Sequence, residues 1–161
     1  KVLTSIALQT KFLELKLEET QKLNDQIIII KGLLVAKSIL YKDINNIHAM
    51  LDIVNNAVDL LINPDGGHKS RSPVKQLLLL RQLVEIRSIV AVLKNIDAEY
   101  LHNQTIKMGQ FCRSFQMPDE NFAWFNGGGL VESNLLSQTL KGFVNKIKFF
   151  NVAKVRWKRR L

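Results

Sequence analysis

The three histidines, His48, His68 and His102, are the first residues to consider for chemistry, because imidazole binds metals and transfers protons near neutral pH. Glu99 and His102 have the Glu-x-x-His spacing that supplies part of the ligand set in di-iron helical bundles. A complete site needs a second copy of that motif and two further carboxylates, and His48 and Asp52 share a helix face without providing it. We therefore predict no metal, no cofactor and no enzymatic activity.

Two other patterns are typical of structure rather than catalysis. The run 127–129 contains three glycines, but it follows no predicted strand and precedes no Lys-Ser or Lys-Thr pair. It therefore predicts a flexible connection instead of a phosphate loop. Cys112 is the only cysteine, which excludes an internal disulfide and fits a reducing compartment. It is predicted to act as a small buried hydrophobic residue.

The dipeptide Ser72-Pro73 predicts the start of a helix. Ser72 can accept a hydrogen bond from an otherwise unpaired backbone N–H, and Pro73 suits the first helical position, where a missing N–H costs nothing. A phosphate on Ser72 would also be stabilised at a helix N-terminus. An ordinary cap and a modification site are therefore both consistent with this dipeptide.

The segment 141–161, which we call the basic end, points most directly to a partner. It holds eight of the 23 Lys and Arg residues and none of the 14 Asp and Glu, whereas residues 1–140 are nearly neutral. Its apolar residues continue a spacing of three and four, which predicts a basic amphipathic helix. The residues predicted to contact an acidic partner are Lys141, Lys146, Lys148, Lys154, Arg156, Trp157, Lys158, Arg159 and Arg160.

Several kinds of partner are consistent with the basic end. Clustered cations bind nucleic acids by displacing counterions from phosphates, and they are attracted to anionic membrane surfaces as well. Phe149, Phe150 and Trp157 can stack on bases or enter the headgroup region. An acidic protein surface would attract the same cations. In the remaining interpretation the aromatic residues belong to the core and the cations are only solvated.

The elements that must position these residues are long amphipathic helices. Residues 44–61 carry six apolar side chains at spacings of three and four: Ile44, Ile47, Leu51, Val54, Val58 and Leu61. The same spacing predicts one helix over 2–40, with a bend at Gly32 or a break near 42–46. It predicts a second over 73–101, which can extend to about Cys112, and a last helix from about Leu130.

These elements predict an all-α fold: a single domain over 1–161, built as an up-down bundle of four to five helices with a basic amphipathic C-terminal helix. Asn63-Pro64 and the Gly- and Pro-containing stretches place long loops at about 63–72 and 113–129. Their aromatic residues Phe122, Trp124 and Phe125 are predicted to close the open end of the bundle. No apolar stretch approaches the roughly 20 residues of a membrane-spanning helix.

Wide apolar faces at Ile27–Val35 and Leu77–Val84 favour contacts with other proteins, because one small chain has little surface to cover them. The leading prediction is a non-enzymatic interaction or structural module, a subunit of a larger assembly, with protein partners or self-association and no small-molecule substrate. The alternatives are a nucleic-acid-binding protein and a peripheral membrane protein. The plan of long helices and a long connection also resembles that of the helical cytokines, which implies signalling as a further alternative.

Overall fold

A computed structural model describes residues 2–40, 44–93, 96–117, 121–127, 129, 131 and 133–141. Within these ranges the chain forms six helices: α1 (Val2–Glu19), α2 (Leu23–Leu40), α3 (Ile44–Leu61), α4 (Pro73–Ala91), α5 (Glu99–Arg113) and α6 (Ser133–Leu140). The β pairing in the same residues is limited to two isolated bridges, Ile62–His68 and Gln116–Phe122. The prediction of an all-α fold is therefore confirmed.

Helices α2 and α4 form the centre of the fold. Helix α2 packs against α1, α3 and α4, and α4 packs in addition against α5 and α6. Ile30 and Leu34 of α2 and Leu80 and Leu83 of α4 are completely buried. Each such side chain stabilises the fold by about 1.5–3 kcal/mol relative to exposure, so α2 and α4 both contribute strongly to the shared apolar core.

The prediction of one helix over 2–40 is wrong, because the helix stops at Glu19 and restarts at Leu23. The Thr20 hydroxyl donates to the Lys16 carbonyl at 2.6 Å, and the Gln26 amide donates to the Thr20 carbonyl at 2.7 Å. These bonds satisfy backbone groups that an ended helix leaves unpaired. The short connection lets α1 pack against α2.

Helix α2 is not interrupted at Gly32 and continues through it to Leu40. A Cβ atom at position 32 would lie 3.2 Å from Cδ1 of Leu13. The missing side chain therefore allows α1 to approach α2 closely, which is one reason for glycine to occur inside a helix.

The predicted helix over 73–101 is also divided. Helix α4 ends at Ala91 and α5 begins at Glu99. The carboxylate of Asp97 accepts a hydrogen bond from the Glu99 backbone N–H at 2.9 Å, so Asp97 satisfies a donor at the start of α5. Helix α5 then packs against α4, where the Arg87 guanidinium donates to the Thr105 hydroxyl at 3.2 Å.

Gln76 fixes the loop between α3 and α4. Its side chain is completely buried and makes three hydrogen bonds. The carbonyl oxygen accepts from the His68 N–H at 2.5 Å, and the amide nitrogen donates to the carbonyls of Gly66 at 2.9 Å and Met108 at 3.2 Å. One side chain of α4 thereby joins the loop to α5.

The predicted aromatic closure holds for only part of the 122–125 cluster. Phe115 makes edge-to-face contacts with Phe111, Phe122 and Phe125 at centroid distances of 5.3, 6.0 and 5.5 Å. Phe122 is buried, but Phe125 and Trp124 are 43% and 61% exposed. The prediction that these aromatic rings close the bundle is therefore wrong for Trp124 and only partly met for Phe125, which still contacts Phe115.

None of the helices in the described ranges is both long enough and apolar enough to pass through a lipid bilayer. Helices α2, α4 and α5 place many of their apolar residues in a shared core, with Ile27, Leu77 and Met108 each completely buried. The packing of the described part of the chain therefore follows the pattern of mutually buried helix faces.

We predict that Gly66→Ala lowers the free energy of unfolding by about 1–3 kcal/mol. Gly66 has φ +84°, and an added Cβ would lie 2.7 Å from the Lys107 carbonyl oxygen. Urea unfolding measures the loss. Gly129→Ala is the matched control, because no atom of the described residues lies within 4 Å of its Cβ position. Equal stabilities of the two variants would contradict the role given to this loop.

Candidate interaction surfaces

Helix α1 carries apolar residues on two opposite faces. Leu8, Phe12 and Leu15 follow one another at spacings of four and three, and they are 69%, 58% and 54% exposed. At about 100° per residue, they lie opposite the face that contains Thr10 and Leu13. Thr10 is buried, and Leu13 packs against the core. We call the exposed residues 8, 12 and 15 the α1 stripe.

The α1 stripe has a cation on each side. Lys11 and Lys16 are both exposed, and helical geometry places them on opposite flanks of Phe12. Lys16 pairs with Glu19 at 2.9 Å and lies 5.9 Å from the centre of the Phe12 ring. Lys11 takes part in no ion pair within the described part of the chain. The stripe therefore combines apolar area with two accessible positive charges.

A groove of about 710 Å³ borders the α1 stripe and is lined by Thr4, Ala7, Leu8, Thr10, Lys11, Glu14 and Lys37. Lys37 is nearly buried, and its ammonium group lies 2.6 Å from a Glu14 carboxylate oxygen and 2.9 Å from the Asn46 side-chain oxygen. These contacts join α2 to α1 and α3. The Lys37 side chain, which forms part of the groove wall, is therefore fixed by its contacts with Glu14 and Asn46.

A second apolar surface lies on α2 and extends to α4. Ile28, Val35 and Ile39 are exposed and face away from the buried side of α2. Ile28 and the exposed Leu78 line a groove of about 250 Å³ between the two helices. The predicted wide faces are thus mostly covered within the chain, because their other large residues are core members: Ile27, Ile30, Leu33, Leu34, Leu77, Leu79, Leu80 and Leu83.

The described chain reaches only the first residue of the basic end. Lys141 is exposed and directly follows α6, whose terminal Leu140 carbonyl accepts a hydrogen bond from Arg113 at 3.0 Å. The predicted basic amphipathic helix lies outside the described residues. So do the other predicted contact residues: Lys146, Lys148, Lys154, Arg156, Trp157, Lys158, Arg159 and Arg160.

His68 is the most deeply buried of the three histidines, with 6% of its surface exposed. Its Nδ1 accepts hydrogen bonds from the Ser70 backbone N–H at 3.1 Å and from the Ser70 hydroxyl at 2.8 Å. Because Nδ1 accepts, the neutral ring carries its proton on Nε2, which has no partner among the described residues. Burial, assisted by the nearby charge of Lys75, lowers the pKa of His68.

The Ser70–His68 contact organises the loop and does not form a catalytic triad. The loop carboxylate, Asp65, accepts the Gly67 backbone N–H at 2.9 Å and pairs with Arg71 at 2.9 Å. The Gly67 bond and then the Arg71 contact lower the pKa of Asp65. Asp65 therefore stabilises the turn, and His68 gains no carboxylate from it to orient its ring.

The remaining chemical candidates are dispersed in the described structure. Glu99 and His102 are exposed, and the described residues contain no group of three His, Cys, Asp or Glu that could hold a metal ion. Cys112 is completely buried, as predicted, and burial raises the pKa of its thiol to about 12. A thiol with this pKa is not a nucleophile at neutral pH.

Ser72 begins α4 as predicted, with Pro73 at the first turn, but the predicted capping hydrogen bond is absent. The hydroxyl is completely buried and has no hydrogen-bond partner among the described residues. Since a modifying enzyme cannot reach a buried hydroxyl, the fold does not favour the alternative of a phosphate on Ser72.

No protein-family model, curated protein or solved structure matches this chain. A functional interpretation therefore depends on the surfaces of the chain itself. Among these, the α1 stripe is a regular apolar pattern with charged flanks on a well-formed helix.

The α1 stripe was missed by the sequence interpretation. The predicted single helix over 2–40 gives no separate role to Leu8, Phe12 and Leu15. The available signal was their own spacing of four and three, beside the separate inner face at Thr10, Leu13 and Leu17.

We predict that the free energy of unfolding decreases as the pH falls below 6.5, the ordinary pKa of histidine. The folded state lowers the pKa of His68, so the unfolded chain binds the proton more readily and gains stability relative to the fold in acid. Urea unfolding between about pH 7.5 and pH 5.5 measures this dependence. His68→Gln should flatten it, whereas the exposed control His102→Gln should retain it. A slope unchanged by His68→Gln would show that another group is responsible.

Proposed function

We propose that this chain is a non-enzymatic helical interaction module that serves as a subunit of a larger protein assembly. The α1 stripe is the observation that carries the proposal. Leu8, Phe12 and Leu15 are each more than half exposed although they lie on a regular helix beside a well-packed core. Single exposed apolar residues are common, but a contiguous apolar pattern on a helix is characteristic of a binding surface.

A partner that covers the α1 stripe would remove three large apolar side chains from water. Full burial of a leucine or phenylalanine side chain contributes about 1.5–3 kcal/mol, so three such residues can supply the apolar centre of a helix-in-groove contact. The exposed residues Ile28, Val35 and Ile39 of α2 add a second apolar surface. An assembly that covers the exposed apolar residues of both α1 and α2 would therefore gain substantially more binding free energy from apolar burial than one that covers a single surface.

The finer architecture proposed is an up-down bundle whose last helix is basic and amphipathic. The three-residue connection between α1 and α2 and the packing of α2 against α3 and α4 support consecutive packed helices. The apolar spacing through Phe143, Ile147 and Phe150 supports an amphipathic helix in the basic end. The eight cations of the basic end would make a second contact, with an acidic protein partner.

We predict that the double variant Leu8→Ser, Phe12→Ser dissociates the chain from its assembly without unfolding it. These side chains are mostly exposed, so stability should change by no more than about 0.5 kcal/mol. Gel filtration of cell extracts, followed by detection of the chain, measures its apparent size. The variant should elute at a smaller apparent size than the unaltered chain. Val92→Ser is the control, because Val92 is exposed and lies outside the α1 stripe.

The proposal fails if the unaltered chain is itself monomeric in extracts at its natural concentration. It also fails if the double variant and Val92→Ser elute at the same large size. Melting temperatures and helical circular dichroism of the purified variants show whether a change in size reflects lost contacts or lost folding.

Nucleic-acid binding is the second candidate, favoured by the concentration of cations in the basic end. The two candidate functions predict that different treatments release the chain from its assembly. We predict that nuclease treatment leaves the assembly intact, whereas the variant Lys158→Gln, Arg159→Gln, Arg160→Gln weakens it at low salt, and that its difference from the unaltered chain shrinks as salt screens the ionic contact. A matched triple variant at Lys69, Lys75 and Lys107 controls for net charge. Release by nuclease would favour the nucleic-acid candidate instead.

A further inference from the structure

We infer that the partner of the α1 stripe is an amphipathic helix of another protein, with Asp or Glu residues flanking its apolar positions. This inference rests on the proposed function and specifies the chemistry of the partner. Two other occupants are available in principle, a second copy of this chain and its own basic end. The charges beside the α1 stripe argue against both.

The spacing of the α1 stripe suits a helical partner. Leu8, Phe12 and Leu15 occupy positions equivalent to the core positions of a two-helix contact, and Lys11 and Lys16 occupy the two flanking positions. Flanking positions meet the flanks of the partner helix, so their charges select the partner. Leu8 and Lys11 also border the 710 Å³ groove, which leaves room for side chains of a helix lying along α1.

A second copy of the chain fits this surface poorly. In a parallel pair of α1 helices, Lys11 would face Lys16 of the second copy. In an antiparallel pair centred on Phe12, the two Lys11 residues would face each other. A shifted antiparallel pair would match Lys11 with Glu18, but it would place Leu8 opposite a Glu19 carboxylate. Each arrangement therefore brings like charges together or loses an apolar contact.

The basic end of the chain is an equally poor occupant. It carries eight cations and no carboxylate, so it would add positive charge beside Lys11 and Lys16. An acidic-flanked helix instead supplies a carboxylate for Lys11, which has no ion-pair partner among the described residues. It can also compete for Lys16, whose ion pair with Glu19 is largely exposed and therefore weak. Glu18 lies on the same flank of the α1 stripe as Lys11 and would repel a carboxylate of the partner. The preference for Asp or Glu in the partner helix should therefore end near the position that faces Leu15.

The test uses three synthetic helical peptides with the same leucine positions and with Glu, Gln or Lys at every flanking position. Fluorescence anisotropy measures their binding to the full chain at about 0.15 M salt. The Glu peptide should bind at least about tenfold more tightly than the Lys peptide, with the Gln peptide between them. Phe12→Ser should remove binding of all three.

Charge reversal provides the sharper comparison. Lys11→Glu, Lys16→Glu should reverse the order of the Glu and Lys peptides. The control variant Lys69→Glu, Lys107→Glu makes the same change in net charge at exposed lysines outside α1 and should keep the original order. If Lys11→Glu, Lys16→Glu leaves the order unchanged, the flanking lysines do not select the partner and the inference is overturned.

Three other results would overturn the inference. They are equal affinity for the Glu and Lys peptides, concentration-dependent dimerisation that Phe12→Ser abolishes, and Phe12-dependent sedimentation with vesicles of anionic phosphatidylglycerol. The proposed function has a separate readout, since it depends on the size of the cellular assembly. Suppose that Leu8→Ser, Phe12→Ser loses the assembly but the Glu and Lys peptides bind with equal affinity. The proposed interaction module would then stand, and only the acidic-flanked helix would be rejected as its partner.

Discussion

The packing of α2 on three neighbouring helices is the constraint on which the rest of the described structure depends. Its sequence is apolar on nearly every side, and residues such as Ile27, Ile30 and Leu34 leave no surface exposed. Helices α3 and α4 cover two sides, and α1 covers a third. Because α1 uses only one of its two apolar faces for this contact, the other face remains in solvent. The exposed surface thus follows from how the core is completed.

The loop between α3 and α4 depends on a different kind of interaction. Gln76 provides one buried side chain that satisfies a donor and two acceptors from two separate segments. Buried polar groups are costly when unpaired, so a network of this kind fixes one conformation of the loop. The His68 ring is then placed between the Ser70 donors and the interior, where protonation is unfavourable. Folding therefore lowers the affinity of the His68 ring for a proton.

Periodic apolar spacing was sufficient to predict helices and the all-α class, because each helix must bury a face. It was insufficient to find their ends. The break at 20–22 contains neither Pro nor Gly, and the end of α4 at Ala91 interrupts a pattern that continues toward Tyr100. Side chains such as Thr20 and Asp97 decide these breaks through hydrogen bonds that depend on three-dimensional packing.

The exposure of the α1 stripe also depends on tertiary packing that the apolar spacing does not specify. Apolar residues on both faces of α1 can be counted in the sequence, but which face packs inward depends on the position of α2. Ser72 is a comparable case: its place before α4 was predictable, whereas the burial of its hydroxyl depends on the surrounding loop. Sequence therefore specifies which residues are available for a site, and tertiary packing decides which of them reach solvent.

The close approach at Gly32 has a consequence for how α1 is oriented. A Cβ atom at position 32 would lie 3.2 Å from Cδ1 of Leu13, which is tighter than an ordinary van der Waals contact. A bulkier residue would therefore require the Leu13 side chain or α1 itself to move, and a movement of α1 would alter the angle at which Phe12 is presented although no atom of the recognition face had changed. Position 32 is thus a spacer that controls the geometry of a surface on the far side of its neighbour.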